Sequence, residues 1–547
     1  MQDHQRNEAG IMKLGVAYYP EHHKPEQWPI DYRKIKEAGI ERIRIAEFAW
    51  ACLEPEEGRY EWRWLDEAIA LATDFGLQVV LCTPTACPPI WLVEQHPEVL
   101  PVHRSGKTVG FGARQHRSYS SPKYIEYSMR IVERMAERYG QHPNVVAWQL
   151  DNEFGGETKF DYGECSRRAF HLYLEQKYGT IDELNERWGT VFWSQTYRRF
   201  EQIPLPAPIE SDVMMWQHPS LELEFARFSS DVIVRYANRQ TDALRRHIGD
   251  RPITTNAFMF KYGDSVDWIR LFEKLDVVGM DIYSDRPHEI AFYCDASRGV
   301  LAKPFWMMEY GAGTSELERD IGIVRERGCE HFYLFKMKPF PWGQEQGAGG
   351  DEMLTLTGEP SANYGVVQRY SREGAALPAS SGQARVALFY HFESSWSYRI
   401  SVADRLPYPE KIVDNVYRAL YESGEPVDVL YTPGQIADHE ALLVPYHVLY
   451  DPELEERLIA YVRAGGKLIV TSDLFRKNAD NVFLTEVPRL FAELLDWQEN
   501  NFVQGRGHAE FVIRSHGGER GGRAWIVARD GGLEDWRMLL SEVLAVE

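Results

Sequence analysis

The stretch Trp148-Gln149-Leu150-Asp151-Asn152-Glu153-Phe154 is an apolar run that ends abruptly in an amide and a carboxylate. A strand that stops this way carries Asn152 and Glu153 at its carboxyl end, where the eight loops of a (β/α)8 barrel converge above a packed core. The residues before it support the strand reading. Ser121 and Pro122 supply an N-cap and a first-turn proline, and Ile125, Met129, Val132, Met135, Ala136 and Tyr139 recur at helical spacing until Gly140 closes the helix. The Gln141-His142-Pro143-Asn144 turn leads into Val145-Val146-Ala147-Trp148, so the order is helix, short loop, buried strand, acid.

Working outward, β-type runs alternate with amphipathic stretches from Leu14 onward, the mark of a parallel-sheet α/β fold. The runs Leu14 to Tyr19, Arg42 to Glu47, Gln78 to Pro84, Val145 to Asp151, Pro252 to Asn256, Asp276 to Ile282, Pro304 to Glu309 and His331 to Lys336 give eight strands, the number that closes a barrel. Glu153 follows the fourth. The seventh, Pro304-Phe305-Trp306-Met307-Met308-Glu309, ends in a second glutamate. Two strand-end glutamates in one barrel are what glycoside hydrolysis needs, one to protonate the departing oxygen and one to attack or to activate water. Glu21, Glu47, Asn256, Asp281 with Tyr283, and Glu345 are further polar groups at strand ends; each alone reads as a solvated loop residue, and their shared location argues for function.

At 547 residues the chain exceeds one ordinary domain, so appendages to the barrel are expected. A formal net charge of -21 argues against nucleic acid or an anionic membrane as partner. Cys52, Cys82, Cys87, Cys165, Cys294 and Cys329 are dispersed and read as small buried apolar residues in a reducing compartment. The polar first ten residues lack the apolar core of a signal peptide, and no apolar segment reaches the roughly 18–20 residues that span a bilayer. Cytoplasmic residence is the expectation.

The barrel is expected over 1–373, with a long insertion between Glu153 and Pro252 that includes Phe192-Trp193-Ser194-Gln195 and shapes either the pocket or a subunit contact. The small-residue linker Gly374 to Gly382 follows. A smaller doubly wound, flavodoxin-like α/β domain spans 384–500: strands at Arg385 to Tyr390, Val427 to Leu430, Ala441 to Val444 and Leu468 to Thr471, and a helix capped by Asp451 and Pro452. It lacks a Gly-rich phosphate fingerprint and reads as an assembly domain. A short C-terminal β-rich tail is expected over 505–547, from Phe511-Val512-Ile513 and Trp525-Ile526-Val527.

Several long motifs then appear in order: Tyr19-Pro20-Glu21, Ala46-Glu47-Phe48-Ala49-Trp50, Leu53-Glu54-Pro55-Glu56-Glu57-Gly58, Trp64-Leu65-Asp66, Thr83-Pro84-Thr85-Ala86 and Asp151-Asn152-Glu153-Phe154-Gly155. Together they resemble glycoside hydrolase family 42, the microbial β-galactosidases. The resemblance implies a retaining exo-glycosidase that removes terminal β-D-galactose, with Glu153 as general acid/base and Glu309 as nucleophile. It further implies Asn152 at the sugar's 2-hydroxyl, Arg114 in the galactose subsite, Tyr283 against the nucleophile's carboxylate, and Glu47 and Glu345 as ring-hydroxyl ligands. No cofactor and a homotrimer built through the middle domain are also implied. The chemistry fits these roles: an acid that switches protonation needs a raised pKa, which burial and a neighbouring anion supply, and the nucleophile calls for donors such as the Tyr283 hydroxyl or the Arg114 guanidinium.

Three departures stand out. Many members carry a four-cysteine zinc site, yet here Ser118 holds the first position and Phe160 to Ser166 contains only Cys165, so no zinc is expected. The tryptophan expected after the nucleophile is not evident in Gly311 to Leu317, and Ala348 stands where a histidine is expected after Gln344-Glu345-Gln346. Both fall where the sugar's outer hydroxyls are read, which leaves open another β-glycoside or α-L-arabinopyranoside specificity. A non-catalytic carbohydrate-binding protein on this scaffold is the alternative of a different class, and a metal-dependent hydrolase lacks a His or Cys cluster.

Overall fold

The computed structural model describes residues 10–206, 217–260, 264–347, 352–373, 377, 383–401, 404–437, 439–494 and 521–545. The chain divides into two compact units, Met1–Ser166 with Asp231–Ser380, and Arg167–Ser230 with Ser381–Glu547.

In the first unit the strands are β1 (Lys13–Ala17), β2 (Arg42–Ile45), β3 (Gln78–Cys82), β4 (Val145–Gln149), β5 (Ile253–Thr254), β6 (Asn256–Ala257), β7 (Gly279–Ile282), β8 (Phe305–Gly311) and β9 (Cys329–Phe335). They form one parallel sheet in the order β5-β4-β3-β2-β1-β9-β8-β7-β6. Only Thr255 separates β5 from β6, and these two short runs are the halves of the single strand expected over Pro252 to Asn256. One half pairs with β4 and the other with β7, which brings the sheet round on itself as an eight-staved barrel.

Because helices cover the outside and side chains fill the inside, the strands are buried on both faces and read as continuous apolar runs; in β8 only the last residue is less than fully buried. Val80, Ala147, Trp306, Met308 and Tyr333 pack together as one cluster of this core. Gly15 on β1 is there for space, since a Cβ would sit 2.3 Å from the Tyr333 ring. The helix before β4 runs Pro122–Tyr139, with Ser121 Oγ accepting from the Tyr124 amide at 3.3 Å. Val132, Met135, Ala136 and Tyr139 are buried as their spacing predicts, each large apolar side chain contributing about 1.5–3 kcal/mol.

The second unit carries β10 (Val386–Phe389), β11 (Val427–Leu430), β12 (Ala441–Val444), β13 (Lys467–Thr471) and β14 (Arg523–Val527), parallel throughout, in the order β11-β10-β12-β13-β14. Asp451 caps the helix Pro452–Arg463, its Oδ1 accepting from Glu453 N at 2.9 Å and Leu454 N at 3.2 Å. Leu454, Leu458 and Val462 of that helix share one core with Leu442, Val444, Leu468, Val470 and Ile526.

Two expectations need correction. Among the described residues of the tail, 521–545, the one strand joins the second sheet: Trp525-Ile526-Val527 lies in β14, which pairs with β13, and the helix Leu533–Val543 follows. A parallel partner lies a crossover away in sequence, so a short apolar run cannot announce which sheet it joins. Phe511-Val512-Ile513 and most of the Gly374 to Gly382 linker lie outside the described residues. The insertion placed with the barrel over 1–373 groups instead, from Arg167 to Ser230, with the second unit. Charged contacts account for it: Arg227 Nη2 reaches Glu393 Oε2 at 2.5 Å, and Tyr178 donates to Asp480 Oδ1 at 2.8 Å.

None of the six cysteines forms a disulfide, but only Cys82, Cys294 and Cys329 are buried; Cys87 and Cys165 are half-buried and Cys52 is exposed. Among the described residues no helix is long and apolar enough to cross a membrane.

Candidate active site

Beyond β4 the chain takes a conformation that side chains resist. Asp151 and Glu153 have φ of 49° and 45°, in the left-handed region, at a cost of about 1–3 kcal/mol each. Buried polar contacts hold the turn: the Asp151 amide donates to Thr83 Oγ1 at 2.7 Å, Thr85 Oγ1 donates to Asp151 Oδ2 at 2.6 Å, and Arg117 Nη2 meets Asp151 Oδ1 at 2.5 Å. Arg117 and Asp151 are both wholly excluded from solvent. The strain is concentrated where the polar side chains emerge.

Glu153 and Glu309, expected from sequence to face one another, do so. With Asp281 at the β7 end they form a buried trio whose nearest carboxylate oxygens all lie within 4.8 Å of one another. Glu309 is surrounded by donors. Tyr283 donates to its Oε2 at 2.7 Å, Asn256 Nδ2 to Oε1 at 3.1 Å, and Arg44 Nη2 to Oε1 at 2.5 Å. Arg44 also reaches Glu47 Oε1 at 2.7 Å and the Met308 carbonyl at 3.2 Å.

The guanidinium against Glu309 is thus Arg44, whereas Arg114, the sequence candidate, pairs with Glu153 Oε2 and, at 2.8 Å, with Glu157 Oε1. Asn152 Nδ2 donates to Glu153 Oε2 at 3.0 Å. Burial above all, and then the charge of Glu309, push the Glu153 carboxyl up to about 8 against the pull of Arg114. Burial with the same neighbour holds Asp281 well above the usual carboxylate range.

Asn256, marked in the sequence only as a polar strand end, is the hub. Its Oδ1 accepts from Gln149 Nε2 and from the Glu153 amide, each at 3.0 Å, while its Nδ2 reaches Asn152 Oδ1 at 2.9 Å, Asp281 Oδ2 at 2.8 Å and Glu309. Glu47 is buried, and its Oε2 has no hydrogen-bond partner among the described residues. Glu345 is exposed, and its charge acts on Arg114. Glu21 stands apart from this network, with both carboxylate oxygens unpartnered and its carboxyl raised by burial to about 8. Ala348 lies outside the described residues.

Arg44 was missed in the sequence, although a signal exists. In Arg42-Ile43-Arg44-Ile45, strand alternation places a charge inside a barrel, where an unpaired arginine is too costly to persist. A buried partner was required.

Three close carboxylates have the chemistry to ligate a cation, but here Glu309 and Glu153 are met by two guanidinium groups, two amides and a phenol, a donor set matched to anions. The zinc site of many family members does not fit either. Between Ser118 and Ser166 a carboxylate gathers the donors: Asp161 accepts from Ser118 Oγ at 2.5 Å, Ser166 Oγ at 2.9 Å, Val102 N at 2.8 Å and Gly163 N at 2.9 Å. What the arrangement can do is set a protonated carboxyl opposite a donor-ringed carboxylate across one small gap.

The family model for glycoside hydrolase family 42, described as β-galactosidase, matches residues 17–335, and a model for the β-galactosidase trimerisation domain matches residues 384–526. A β-galactosidase from Thermus thermophilus is 37% identical over 490 residues, covering 83% of this chain and 74% of that protein. The β-galactosidase Bga of Halorubrum lacusprofundi is 34% identical over 505 residues, covering 86% and 71%. The crystal structure of β-galactosidase from the psychrophilic Marinomonas ef1 superposes with a TM-score of 0.85 at 28% identity, covering 97% of this chain and 91% of that one.

Proposed function

The chain belongs to glycoside hydrolase family 42, the β-galactosidases, and from that premise we propose that it removes terminal β-D-galactose by retaining double displacement, with Glu153 as acid/base and Glu309 as nucleophile. The observation that carries the mechanism is the separation of the two carboxylates. Nearest oxygens within 4.8 Å support a retaining pair, whose carboxyls lie ~5–5.5 Å apart, over an inverting pair at ~6.5–9.5 Å.

In the first step a Glu309 oxygen attacks the anomeric carbon while the glycosidic C–O bond breaks. The bonding pair leaves with the aglycone oxygen, which takes the Glu153 proton. In the second, water gives a proton to Glu153 and its oxygen displaces Glu309 from the galactosyl ester. The raised Glu153 carboxyl suits both steps: it is loaded at neutral pH, and once Glu309 is esterified and uncharged, the repulsion that favoured the proton is gone.

Asn152 takes the 2-hydroxyl, Arg114 lines the galactose subsite, and the free Oε2 of Glu47 accepts from a ring hydroxyl, with Glu345 at the outer edge. Tyr283 and Arg44 hold the nucleophile. The trimerisation-domain match supports oligomerisation, and the assembly is a homotrimer. Val191, Phe192 and Trp193, exposed by 83%, 60% and 64%, form a contiguous apolar patch suited to a subunit contact. Six cysteines outside any disulfide fit the cytoplasm. A panel of aryl β-glycosides tests the substrate: the galacto-configured members, with α-L-arabinopyranoside as a side substrate, are cleaved fastest, and absence of that preference would overturn the assignment.

A further inference from the structure

Asp281 sits on β7 opposite Glu309 of β8, and the two reaction steps give it no part. It is excluded from solvent, and its carboxyl lies within 4.8 Å of both glutamates. The three acids differ in what answers their charge. Glu153 is met by the guanidinium of Arg114 and Glu309 by that of Arg44. Among the described residues no cation contacts Asp281. Its Oδ2 accepts one hydrogen bond, from Asn256 Nδ2 at 2.8 Å, and its Oδ1 has no hydrogen-bond partner.

A carboxylate in a dry interior is costly unless it is paired, and a proton removes the cost. The groups that face Asp281 are Glu153 beyond β4, Asn256 of β6, Glu309 of β8, Tyr283 beyond its own strand and Arg44 of β2. They include a single positive charge, and Arg44 spends its hydrogen bonds on Glu309, Glu47 and the Met308 carbonyl. Burial and the Glu309 charge both favour the protonated form of Asp281. The site thus holds a second neutral acid beside Glu153.

What that acid does follows from Asn256. The Glu153 amide can only donate, which fixes Asn256 Oδ1 as the acceptor and turns Nδ2 toward Asn152 Oδ1, Asp281 Oδ2 and Glu309 Oε1, at 2.9, 2.8 and 3.1 Å. Two hydrogens face three acceptors. Arg44 already serves Glu309 Oε1, so the two shorter contacts take them. Asp281 thereby anchors the amide that holds the Glu153 backbone, at φ 45°, and the Asn152 side chain beside it. Its charge matters as much as its contact. When Glu309 is esterified, Glu153 must give up its proton, and an ionised Asp281 within 4.8 Å would oppose the charge that Glu153 then carries. Of the two acids only Glu153 has a guanidinium to favour its anion, so the proton leaves Glu153 and stays on Asp281.

Resting on the retaining galactosidase reading above, we propose that Asp281 is a positioning residue of the reaction, an acid that keeps its proton through both steps and, as a neutral acceptor, fixes Asn256 and through it Glu153. The test compares the full-length protein with Asp281→Asn, which is neutral and keeps an acceptor oxygen, and Asp281→Leu, which is neutral and has none. It reads kcat and the pH profile of kcat/KM on lactose, and the infrared carbonyl band of protonated carboxyls in the free proteins at neutral pH. Asp281→Leu is expected to lower kcat by about tenfold or more through misplacement of Glu153, and Asp281→Asn to recover most of that loss. The alkaline limb of Asp281→Asn should stay within about half a pH unit of the parental one, because no anion has been removed. One protonated-carboxyl band of the parent should be missing from Asp281→Asn. A limb moved down by about one unit or more, as loss of a neighbouring anion requires, overturns the proposal. So does an equal loss of kcat in both variants, a parental kcat in Asp281→Leu, or an unchanged carboxyl band. Should Asp281→Leu fail to fold, the limb and the band of Asp281→Asn decide. A parent inactive on lactose counts against the galactosidase reading instead, and the infrared comparison still decides the proton on Asp281.

Discussion

Arg44 on β2 and Glu309 on β8, 265 positions apart in sequence, meet at 2.5 Å inside the barrel with the guanidinium wholly buried. The same nitrogen serves Glu47, so removing the arginine strands two carboxylates in a dry interior. Arg44→Met is expected to lower kcat by about 10²–10³-fold, the scale for loss of one preorganised electrostatic partner. It should also cost about 3–5 kcal/mol of stability through the unpaired anions. Arg44→Lys keeps the charge but loses the second terminal nitrogen, which reaches the Met308 carbonyl, so its kcat falls between the two. Steady-state kinetics beside thermal melts checks both; parental kcat in Arg44→Met refutes the positioning role.

The two glutamates should part company when the leaving group changes. Glu309→Gln removes the attacking atom and abolishes turnover on every substrate, with the fold intact by circular dichroism. Glu153→Gln removes a proton that a nitrophenolate scarcely needs but a sugar alkoxide does. Its kcat on lactose should therefore fall by about 10²–10⁴-fold, the range for general acid–base catalysis, and far less on a dinitrophenyl galactoside in the first step. Equal losses on both would reverse the assignment.

The degree to which sequence disclosed these parts follows from the range of the forces involved. Barrel strands, the Ser121 cap and both glutamates are local patterns, an apolar run cut off by a polar end, and were legible. The Arg44–Glu309 pairing was not, because nothing local to β2 says which distant anion satisfies its charge. For the same reason Asn256 was visible as a misplaced amide but not as the hub joining Asn152, Asp281 and Glu309. The insertion's allegiance to the second unit shows in contacts such as Arg227 with Glu393, 166 positions away, and that pairing too lies beyond any window of periodicity.

The Glu153 carboxyl, raised to about 8, sets the direction of the pH response. Acid catalysis needs its proton, so kcat/KM on lactose should fall as pH rises through about 8, with the apparent value belonging to the Glu153–Glu309 pair. Stability follows the same sign. An acid whose folded pKa exceeds its unfolded value of about 4.3 contributes fully below that value and loses its contribution as pH rises through the folded one. Glu153→Gln should therefore flatten the decline of melting temperature between about pH 4 and pH 8. A decline just as steep in the mutant contradicts the burial of this acid.

If the apolar patch of Val191, Phe192 and Trp193 is covered by a neighbouring copy, one charge there should break the assembly. Trp193→Asp is expected to convert a trimer to a smaller species in sedimentation velocity. Its melt should change little in the dilute limit, because the side chain is 64% exposed within one protomer. A trimer unchanged at low micromolar concentration moves the contact elsewhere.

Asp161 offers a test of what holds the corner between Ser118 and Ser166 in this chain. One carboxylate collects two hydroxyls and two amides, from Ser118 and Val102 before β4 and from Gly163 and Ser166 after it, so it ties together the approach to the acid strand and the exit from it. Hydrogen bonds to a charged acceptor contribute about 1.5–3 kcal/mol, and two of these donors are backbone amides left unpaired when the acceptor goes. Asp161→Ala should thus cost about 2–4 kcal/mol, whereas Asp161→Asn, which keeps one carbonyl acceptor, should cost less. Because the tie is made of carboxylate and hydroxyls rather than thiolates, exhaustive chelation should shift neither the melting temperature nor kcat. A melt lowered by chelator and restored by zinc would show that a metal still holds this corner.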